Sequence, residues 1–342
     1  MIAVRNGSGR RARLAALGAH VPARVLTNAD LEKMVDTTDE WILSRTGIRE
    51  RRIAEPDEST ADLAVKAAED ILRNAGITAE EIDVLIVPTA TPEYLFPSTA
   101  AVVQGRIGAT NAAAFDLLAA CSGFVYGLAQ ACALVESGLA RNVMVIGAET
   151  LTRIADFTDR TTCVLFGDGA AGALVTTGEP ETTTGFLGFE LGTDGNGGKD
   201  LLLPVGGSRN PPNRPFAPED AFLKMNGREV FKFATRVIAD STTRLLEALE
   251  LSAQDIDLFV PHQANTRIID HAVEKLGIDP SKVVVNVDRF GNTSSASVPL
   301  ALTEARNEGR LKAGDLLLLI AFGGGLTWGS TVVRYEPGPV TA

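Results

Sequence analysis

Three side chains suited to chemistry follow predicted buried strands in this chain. Cys121 stands where a strand gives way to an apolar helix, and His262 directly follows a strand that ends in proline. The dipole and free N–H groups of a helix N-terminus favour a thiolate, so we expect a lowered pKa and a nucleophilic thiol at Cys121. The imidazole of His262 would face the crevice where α/β folds bind ligands. Asn292, just before a later helix, would add a carboxamide.

Each of these residues also has a purely structural interpretation. A free thiol is usually a buried structural residue, and we interpret Cys132 and Cys163 in this way. The same alternative stays open for Cys121. Asn292 could be only a helix N-cap, a common role for asparagine. The glycines at 323–325 could form only a tight hairpin turn, although their N–H groups could instead hold an oxyanion together with that of Cys121.

An internal repeat relates these residues to one another. Residues 81–88 and 255–261 look like copies, so that His262 corresponds to the residue after the first copy. From there, positions 89 to 121 (32 residues) lead to Cys121, and positions 262 to 292 (30 residues) lead to Asn292. The repeat would therefore superimpose Asn292 on Cys121. Since pockets favour junctions between repeated units, we expect thiol, imidazole and carboxamide to meet between the two halves.

The repeat predicts an α/β protein of two halves, residues 1–180 with the thiol and residues 181–342 with the imidazole and carboxamide. Alternating helix and strand patterns predict mainly parallel sheets with helices on both faces. Residues 170–175 and 329–335 look like antiparallel strands that close each half. The predicted helices are 59–76, 98–107, 122–137, 230–251, 265–276 and 294–307, and the main predicted strands are 82–87, 113–118, 142–147, 256–260, 283–287 and 315–322. We interpret residues 1–13 as a tail and residues 193–218 as a surface loop.

Composition excludes several classes of function. The net charge of −11 at pH 7 argues against a nucleic-acid partner. Three cysteines, an odd number, do not suggest a disulfide framework and indicate a reducing, cytoplasmic location. The longest apolar run near the C-terminus is far too short to span a membrane. Without a dinucleotide fingerprint or metal-ligand spacing, we expect no metal and no cofactor.

Several motifs together indicate one enzyme family. They are TDEWI at 38–42, RTGIRERRI at 45–53, ACSGF at 120–124, PHQAN at 261–265, GNTS at 291–294 and GGGLTWG at 323–329. In these segments and their order, the chain resembles the thiolase superfamily and, within it, the β-ketoacyl-acyl carrier protein synthase III family, which starts type II fatty acid synthesis. A Cys-His-Asn set distinguishes this family from sister families with Cys-His-His or Cys-His-Cys. The resemblance implies a duplicated, five-layered α/β/α/β/α thiolase-like fold.

The resemblance also implies a reaction. Cys121 would take the acyl group from a short acyl-CoA, which is a substrate rather than a cofactor, while the N–H groups of Cys121 and Gly324 stabilise the oxyanion. Malonyl-acyl carrier protein would then lose CO₂, with hydrogen bonds from His262 and Asn292 to its thioester oxygen. This is a decarboxylative Claisen condensation that gives a 3-ketoacyl-acyl carrier protein. An acyltransferase or condensing enzyme of specialised metabolism is the alternative.

Further residues receive roles only through the resemblance. A homodimer is implied, in which Phe96 closes the partner's acyl pocket. Trp41 and Arg160 would clamp the adenine of CoA by stacking. The remaining assignments are Met225, Gly227 and Phe231 beside the substrate tunnel, Arg45 at the substrate-binding mouth and on the basic surface, and Lys232, Arg267 and Lys275 for docking of the acidic carrier protein. A non-catalytic partner subunit is a different class of function, but such subunits usually lack the nucleophile.

Overall fold

The computed structural model describes residues 1–4, 10–178, 184–338 and 340. Its strands are β1 Ile2–Val4, β2 Arg11–His20, β3 Val25–Thr27, β4 Glu50–Arg52, β5 Val84–Pro88, β6 Ala113–Leu117, β7 Asn142–Thr150, β8 Asp168–Gly178, β9 Gly185–Thr193, β10 Leu201–Leu202, β11 Lys224–Met225, β12 Leu258–Pro261, β13 Leu316–Gly323 and β14 Thr327–Arg334. Its helices are α1 Asn28–Leu31, α2 Asp39–Thr46, α3 Thr60–Ala75, α4 Thr99–Ile107, α5 Gly123–Glu136, α6 Gly227–Ala248, α7 Thr266–Leu276, α8 Val287–Phe290 and α9 Ser297–Asn307.

Local sequence signals set the ends of the helices that flank the site. Ser59 and Asp62 bond reciprocally to each other's backbone N–H and start α3, as a capping box does. Gly76 ends that helix with a left-handed φ of 69°, which costs glycine no steric strain. The side chains of Ser98 and Asn265 cap α4 and α7. These helices therefore begin and end within one residue of their predicted bounds.

Two five-stranded sheets repeat one arrangement. The first has the order β2-β8-β7-β5-β6, and the second has β9-β14-β13-β12 with β1 added beyond β9. A parallel bridge between Phe259 and Val283 takes the place of a strand corresponding to β6. Within the described residues the parallel strand pairs are β5–β6, β5–β7 and β12–β13. The predicted antiparallel closing strands are confirmed, because β8 and β14 run antiparallel to both neighbours. With these pairs included, the two sheets are mixed rather than mainly parallel, so that part of the prediction is wrong.

Five layers stack in the order α/β/α/β/α. Helices α5 and α9 lie between the two sheets, where Phe124, Leu128 and Val298 share one core with Val145 and Leu319. Helices α3 and α4 cover the outer face of the first sheet, and α6 and α7 cover that of the second. Burial of apolar surface on all four interfaces holds the layers together. The predicted duplicated thiolase-like architecture is thus confirmed.

Some local predictions are wrong. Residues 283–287 form no strand beyond the single bridge at Val283, and α8 begins at Val287. Residues 1–13 are more than a tail, because they supply β1 and the start of β2. The predicted boundary between positions 180 and 181 lies outside the described residues. No helix in the described ranges is long and apolar enough to cross a bilayer.

Candidate active site

Cys121 occupies a turn between the first sheet and the central helix α5. Beyond β6, a single 3-10 turn over Ala120–Ser122 carries the cysteine, and α5 begins at Gly123. Ala120 has a positive φ of 45°, which is uncommon for a residue with a side chain. Such conformations cluster at functional sites, where the surrounding structure holds them. The thiol is buried at this point.

The second half repeats this turn, but with a different register from the predicted one. A 3-10 turn over Ser294–Ala296 leads into α9, and Ser294 has a φ of 50°, close to that of Ala120. Matching the two turns places Ser295, not Asn292, opposite Cys121. The predicted superposition of Asn292 on Cys121 is therefore off by three residues, since the loop before the second turn holds α8 in place of a strand.

His262 is held in one orientation by its surroundings. Its backbone N–H donates to Ile320 O at 2.7 Å, and its Nδ1 lies 2.6 Å from the Ser297 hydroxyl. The Phe322 ring packs edge-on against the imidazole at 5.1 Å between centroids. Burial lowers the pKa of His262 to about 3, so the ring is neutral at physiological pH. If Ser297 donates to Nδ1, the other nitrogen carries the proton and can donate it to a ligand.

Asn292 is fixed by both its backbone and its side chain. Its N–H donates to Leu165 O at 2.8 Å, and its carbonyl accepts from Gly167 N at 3.0 Å. The side-chain Oδ1 accepts from Ser294 N at 2.8 Å. Asn292 is not the N-cap of α9, because that position belongs to Ala296. Its Oδ1 is engaged in the turn, and its NH₂ group remains the part that can donate to a ligand.

All three side chains line one cavity between the two halves. The cavity has a volume of about 580 Å³, and most of its wall is apolar. Cys121, His262 and Asn292 are joined there by Ser294 and Phe322. This is the size range of pockets that bury small-molecule ligands, with a few polar groups to orient them. The three side chains lie together, as the repeat predicts, although the repeat does not superimpose Asn292 on Cys121.

The electrostatics of the thiol differ from the prediction. Burial raises the pKa of the Cys121 thiol to about 12, although a hydrogen bond with Ser294 opposes this rise. The predicted lowering of this pKa is wrong for the resting site. The physical reason is that loss of water around a thiolate outweighs the stabilisation that one helix N-terminus gives.

The glycine segment at 323–325 lies directly against the cysteine. It forms the turn of the β13–β14 hairpin, so the predicted hairpin is present. A Cβ on Gly323 would lie 2.6 Å from the backbone N of Cys121, so only glycine fits here. Gly324 and Cys121 both line the cavity. The Thr327 hydroxyl donates to Ala119 O at 3.0 Å and ties the two segments together.

The predicted substrate residues fall into two groups. Met225, Gly227 and Phe231 line the cavity, at the strand β11 and the start of α6. Trp41 lies apart from the lining residues, with the guanidinium carbons of Arg45 and Arg160 at 5.1 and 5.2 Å from its ring centroid. An indole ring and planar guanidinium groups are suited to stacking.

The predicted docking and dimer residues lie on the surface. Lys232 and Lys275 form surface ion pairs with acidic neighbours at 2.7 and 3.4 Å. Arg267 lies over the ring of Phe231, at 5.5 Å from its centroid, and so borders the cavity wall. Phe96 is 86% exposed and does not line the cavity. No cluster with metal-ligand character occurs among the described residues.

Sequence reasoning missed several residues of the site. The sequence predicts only that Ser297 lies in a helix, whereas in the structure it is the hydrogen-bond partner of His262. The three leucines at 201–203 line the cavity, and β10 pairs with β11 through Leu201 and Met225. The apolar run at 201–203, inside an otherwise polar segment, is the sequence signal that residues 193–218 contain more than a surface loop.

Comparisons with known proteins agree with this geometry. The sequence profile of 3-oxoacyl-[acyl-carrier-protein (ACP)] synthase III matches residues 115–195, and that of its C-terminal part matches residues 246–335. The β-ketoacyl-[acyl-carrier-protein] synthase III of Caldanaerobacter subterraneus is 52% identical over 320 residues, which are 93% of this chain and 96% of that protein. The chain belongs to the β-ketoacyl-acyl carrier protein synthase III family. It is therefore an acyltransferase, a condensing enzyme of fatty acid biosynthesis.

Solved structures of the family share the whole fold. The β-ketoacyl-[acyl carrier protein] synthase III of Thermus thermophilus superimposes with a TM-score of 0.87 at 52% identity, covering 95% of this chain and 99% of that one. The priming β-ketosynthase of the R1128 polyketide biosynthetic pathway has a TM-score of 0.89 at 37% identity, covering 98% and 99%. The family resemblance seen in the motifs is thus confirmed over nearly the full chain.

Proposed function

We propose that this enzyme joins a short acyl group from acyl-CoA to malonyl-acyl carrier protein through an acyl-Cys121 intermediate. The observation that carries the proposal is that Cys121, His262 and Asn292 line one apolar cavity. A thiol, a neutral imidazole and a carboxamide provide one nucleophile and two uncharged hydrogen-bond donors. This set suits a thioester whose carbonyl oxygen gains charge during reaction.

In the first half-reaction, Cys121 Sγ attacks the carbonyl carbon of the acyl-CoA. A new C–S bond forms, the bond to the CoA sulfur breaks, and the thiol proton leaves with CoA as its free thiol. The N–H groups of Cys121 and Gly324 would hold the oxyanion, because both residues line the cavity where the glycine turn meets the cysteine. The raised pKa of Cys121 means that the thiol loses its proton only as the substrate engages.

In the second half-reaction, malonyl-acyl carrier protein replaces CoA. Its C–CO₂ bond breaks, CO₂ leaves, and the electron pair forms an enolate at the thioester. His262 and Asn292 would donate hydrogen bonds to that enolate oxygen, and the low pKa of His262 keeps the imidazole uncharged while it does so. The enolate carbon then forms a C–C bond to the acyl-Cys121 carbonyl carbon, and the bond from that carbon to the cysteine sulfur breaks. The released thiolate takes up a proton from water, which restores the resting thiol. Decarboxylation supplies the carbanion, so the site needs no strong base.

We assign the remaining predicted residues to binding of CoA, docking of the carrier protein and formation of a dimer. Trp41, Arg45 and Arg160 would bind the nucleotide end of CoA, and Arg267, beside the cavity wall, would meet the acidic carrier protein with Lys232 and Lys275. The exposed side chain of Phe96 would be covered in a homodimer, at the partner's acyl pocket. We also propose that the enzyme is cytoplasmic and uses no cofactor.

Separate assays of the two half-reactions test this function. Cys121→Ala should abolish transfer of labelled acetyl from CoA to the protein, and persistent labelling would show that Cys121 is not the nucleophile. His262→Ala and Asn292→Ala should keep acylation but slow malonyl decarboxylation strongly. Equal losses in both steps would contradict the division of roles.

A role in specialised metabolism is the second candidate function. It is favoured by the similarity to the priming β-ketosynthase of a polyketide pathway, at 37% identity. Mass spectrometry of the intact enzyme after incubation with a mixture of acyl-CoAs identifies the donor by the mass of the adduct. Loss of that adduct with malonyl-acyl carrier protein, and a 3-ketoacyl carrier product, supports the fatty-acid reaction. An adduct that leaves only with another acceptor supports the alternative.

A further inference from the structure

Glu149 is a fully buried carboxyl that the proposed mechanism does not use. It lies near the end of β7, beneath the junction of the two halves, and does not line the cavity. Its Oε2 accepts from the backbone N of Ala90 at 3.0 Å and from the Thr91 hydroxyl at 2.8 Å. Its Oε1 lies 2.8 Å from the Ser295 hydroxyl. The carboxyl therefore bonds to both halves of the molecule.

The number of protons available for hydrogen bonds between Glu149, Ser295 and Pro88 indicates the ionisation state of Glu149. The Ser295 hydroxyl lies 2.9 Å from Pro88 O as well as 2.8 Å from Glu149 Oε1. A hydroxyl has one proton to donate, and a carbonyl oxygen can only accept. If Glu149 were ionised, its Oε1 and the Pro88 carbonyl oxygen would both need the single hydroxyl proton of Ser295. A protonated Glu149 satisfies both contacts, because it donates to Ser295, which then donates to Pro88.

Hydrogen bonds reach the Glu149 carboxyl, but no cation among the described residues forms an ion pair with it. The groups that face it from the segment after β5 and from the turn at 294–296 are hydroxyls and amides, and its cross-strand neighbour on β8 is Gly169. A negative charge on Glu149 would also repel a thiolate at Cys121. Burial raises the pKa of Glu149 more than the hydrogen bonds from Ser295, Thr91 and Ala90 lower it, in agreement with the number of protons available.

The contact of Glu149 with Ser295 fixes the turn that carries the catalytic side chains. Ser295 is the middle residue of the turn between Asn292 and Ser297, the residue that bonds to His262. The first sheet approaches this turn so closely that a Cβ on Gly147 would lie 2.3 Å from the carbonyl oxygen of Ser295. A shift of this turn would therefore move both hydrogen-bond donors of the site relative to Cys121.

We propose that Glu149 acts as a neutral carboxylic acid, a positioning residue that fastens the turn at 294–296 to the first sheet beneath Cys121. Its neutrality keeps a second negative charge away from the sulfur during acylation. The consequence for catalysis rests on the proposed function, whereas the ionisation state and the hydrogen bond do not. The two parts can be tested separately.

Infrared spectroscopy of the resting protein at neutral pH tests the ionisation state. The difference spectrum of wild type minus Glu149→Gln should contain the C=O stretch of a protonated carboxyl group. The matched control is Glu190→Gln, which removes a buried carboxylate that accepts from Arg244 Nε at 2.8 Å. Its difference spectrum should contain carboxylate bands instead. Carboxylate bands in the Glu149 difference spectrum would overturn the proposal, whatever reaction the enzyme performs.

Acylation rates of two variants test the positioning role. Glu149→Gln keeps an uncharged donor for Ser295 and an acceptor for Ala90, so it should label with acetyl-CoA within about twofold of wild type. Glu149→Ala leaves buried groups without a partner and should label roughly tenfold more slowly or worse. Equal losses in Gln and Ala variants would overturn the positioning role. Absence of labelling in wild type itself would instead contradict the proposed function and leave the infrared result standing.

Discussion

Ser297→Ala should uncouple the two half-reactions by loosening the imidazole of His262. The Ser297 hydroxyl lies 2.6 Å from His262 Nδ1, and both residues are buried. In the proposed mechanism the hydroxyl donates to Nδ1 and so selects the tautomer that presents an N–H to the malonyl thioester. Without the hydroxyl, the buried Nδ1 has no hydrogen-bond donor from Ser297. The tautomer that carries its proton on Nε2 is then no longer favoured by that contact.

The size of the effect follows from the cost of leaving a buried polar group unsatisfied. A cost of about one to two kcal/mol, in the lower part of the range for such groups, corresponds to a factor of roughly 5 to 30 in an equilibrium. We therefore expect malonyl decarboxylation to slow by roughly 5- to 30-fold. Acylation of Cys121 should stay within about twofold of wild type, because the proposed first step uses the backbone N–H groups of the oxyanion site rather than the imidazole.

Release of CO₂ from malonyl-acyl carrier protein measures the second step, and labelling with acetyl-CoA measures the first. Ser241→Ala is the matched control, since it removes a buried hydroxyl that lies 2.8 Å from the Ser330 hydroxyl, in α6 and away from the cavity. Both variants should lower the free energy of unfolding by about 1 kcal/mol. Only Ser297→Ala should slow decarboxylation. The reasoning is refuted if acylation falls as far as decarboxylation, or if the control variant loses the same step.

Three further predictions concern the thiol, the glycine turn and the nucleotide site. Because burial raises the pKa of Cys121 to about 12, the thiolate fraction grows with pH, and alkylation of the resting enzyme by iodoacetamide should accelerate roughly tenfold per pH unit between about pH 7 and pH 9; a plateau in this range would contradict the raised pKa. Gly323→Ala should slow acylation at least about tenfold, since its Cβ would meet the backbone N of Cys121 at 2.6 Å, whereas Gly207→Ala, with no atom within 4 Å of its Cβ, should not; equal rates would show that the turn has room. Trp41→Ala should raise KM for acyl-CoA by about tenfold with little change in kcat, as loss of a stacking and cation–π site worth about 1–2 kcal/mol predicts; an unchanged KM would remove Trp41 from the CoA site.

The parts of the fold that depend on neighbours in sequence were predictable. Ser59 and Asp62 cap α3 through contacts three residues apart, and Gly76 ends the helix by its own conformational freedom. The position of His262 followed from the short apolar strand before it. These signals require no knowledge of distant contacts, which is why the predicted bounds agree closely with the structure.

The parts that failed depend on tertiary packing. Residues 283–287 have the apolar character of a strand, but only Val283 bridges to the sheet before α8 begins. The pKa of Cys121 is set by how completely the two halves exclude water around it, which sequence does not reveal. Ser297 and Glu149 were missed because their partners, His262 and Ser295, lie 35 and 146 positions away along the chain.

The strand β1 has a consequence for any attempt to separate the two halves. Ile2–Val4 pair with Gly188–Glu190 and form the outer edge of the second sheet, although they belong to the start of the chain. A fragment carrying only the second half would leave β9 with an open row of unpaired backbone groups. Such an edge invites pairing with other chains and aggregation. Expressed apart, the second half should therefore be rescued by a short peptide that restores the missing strand.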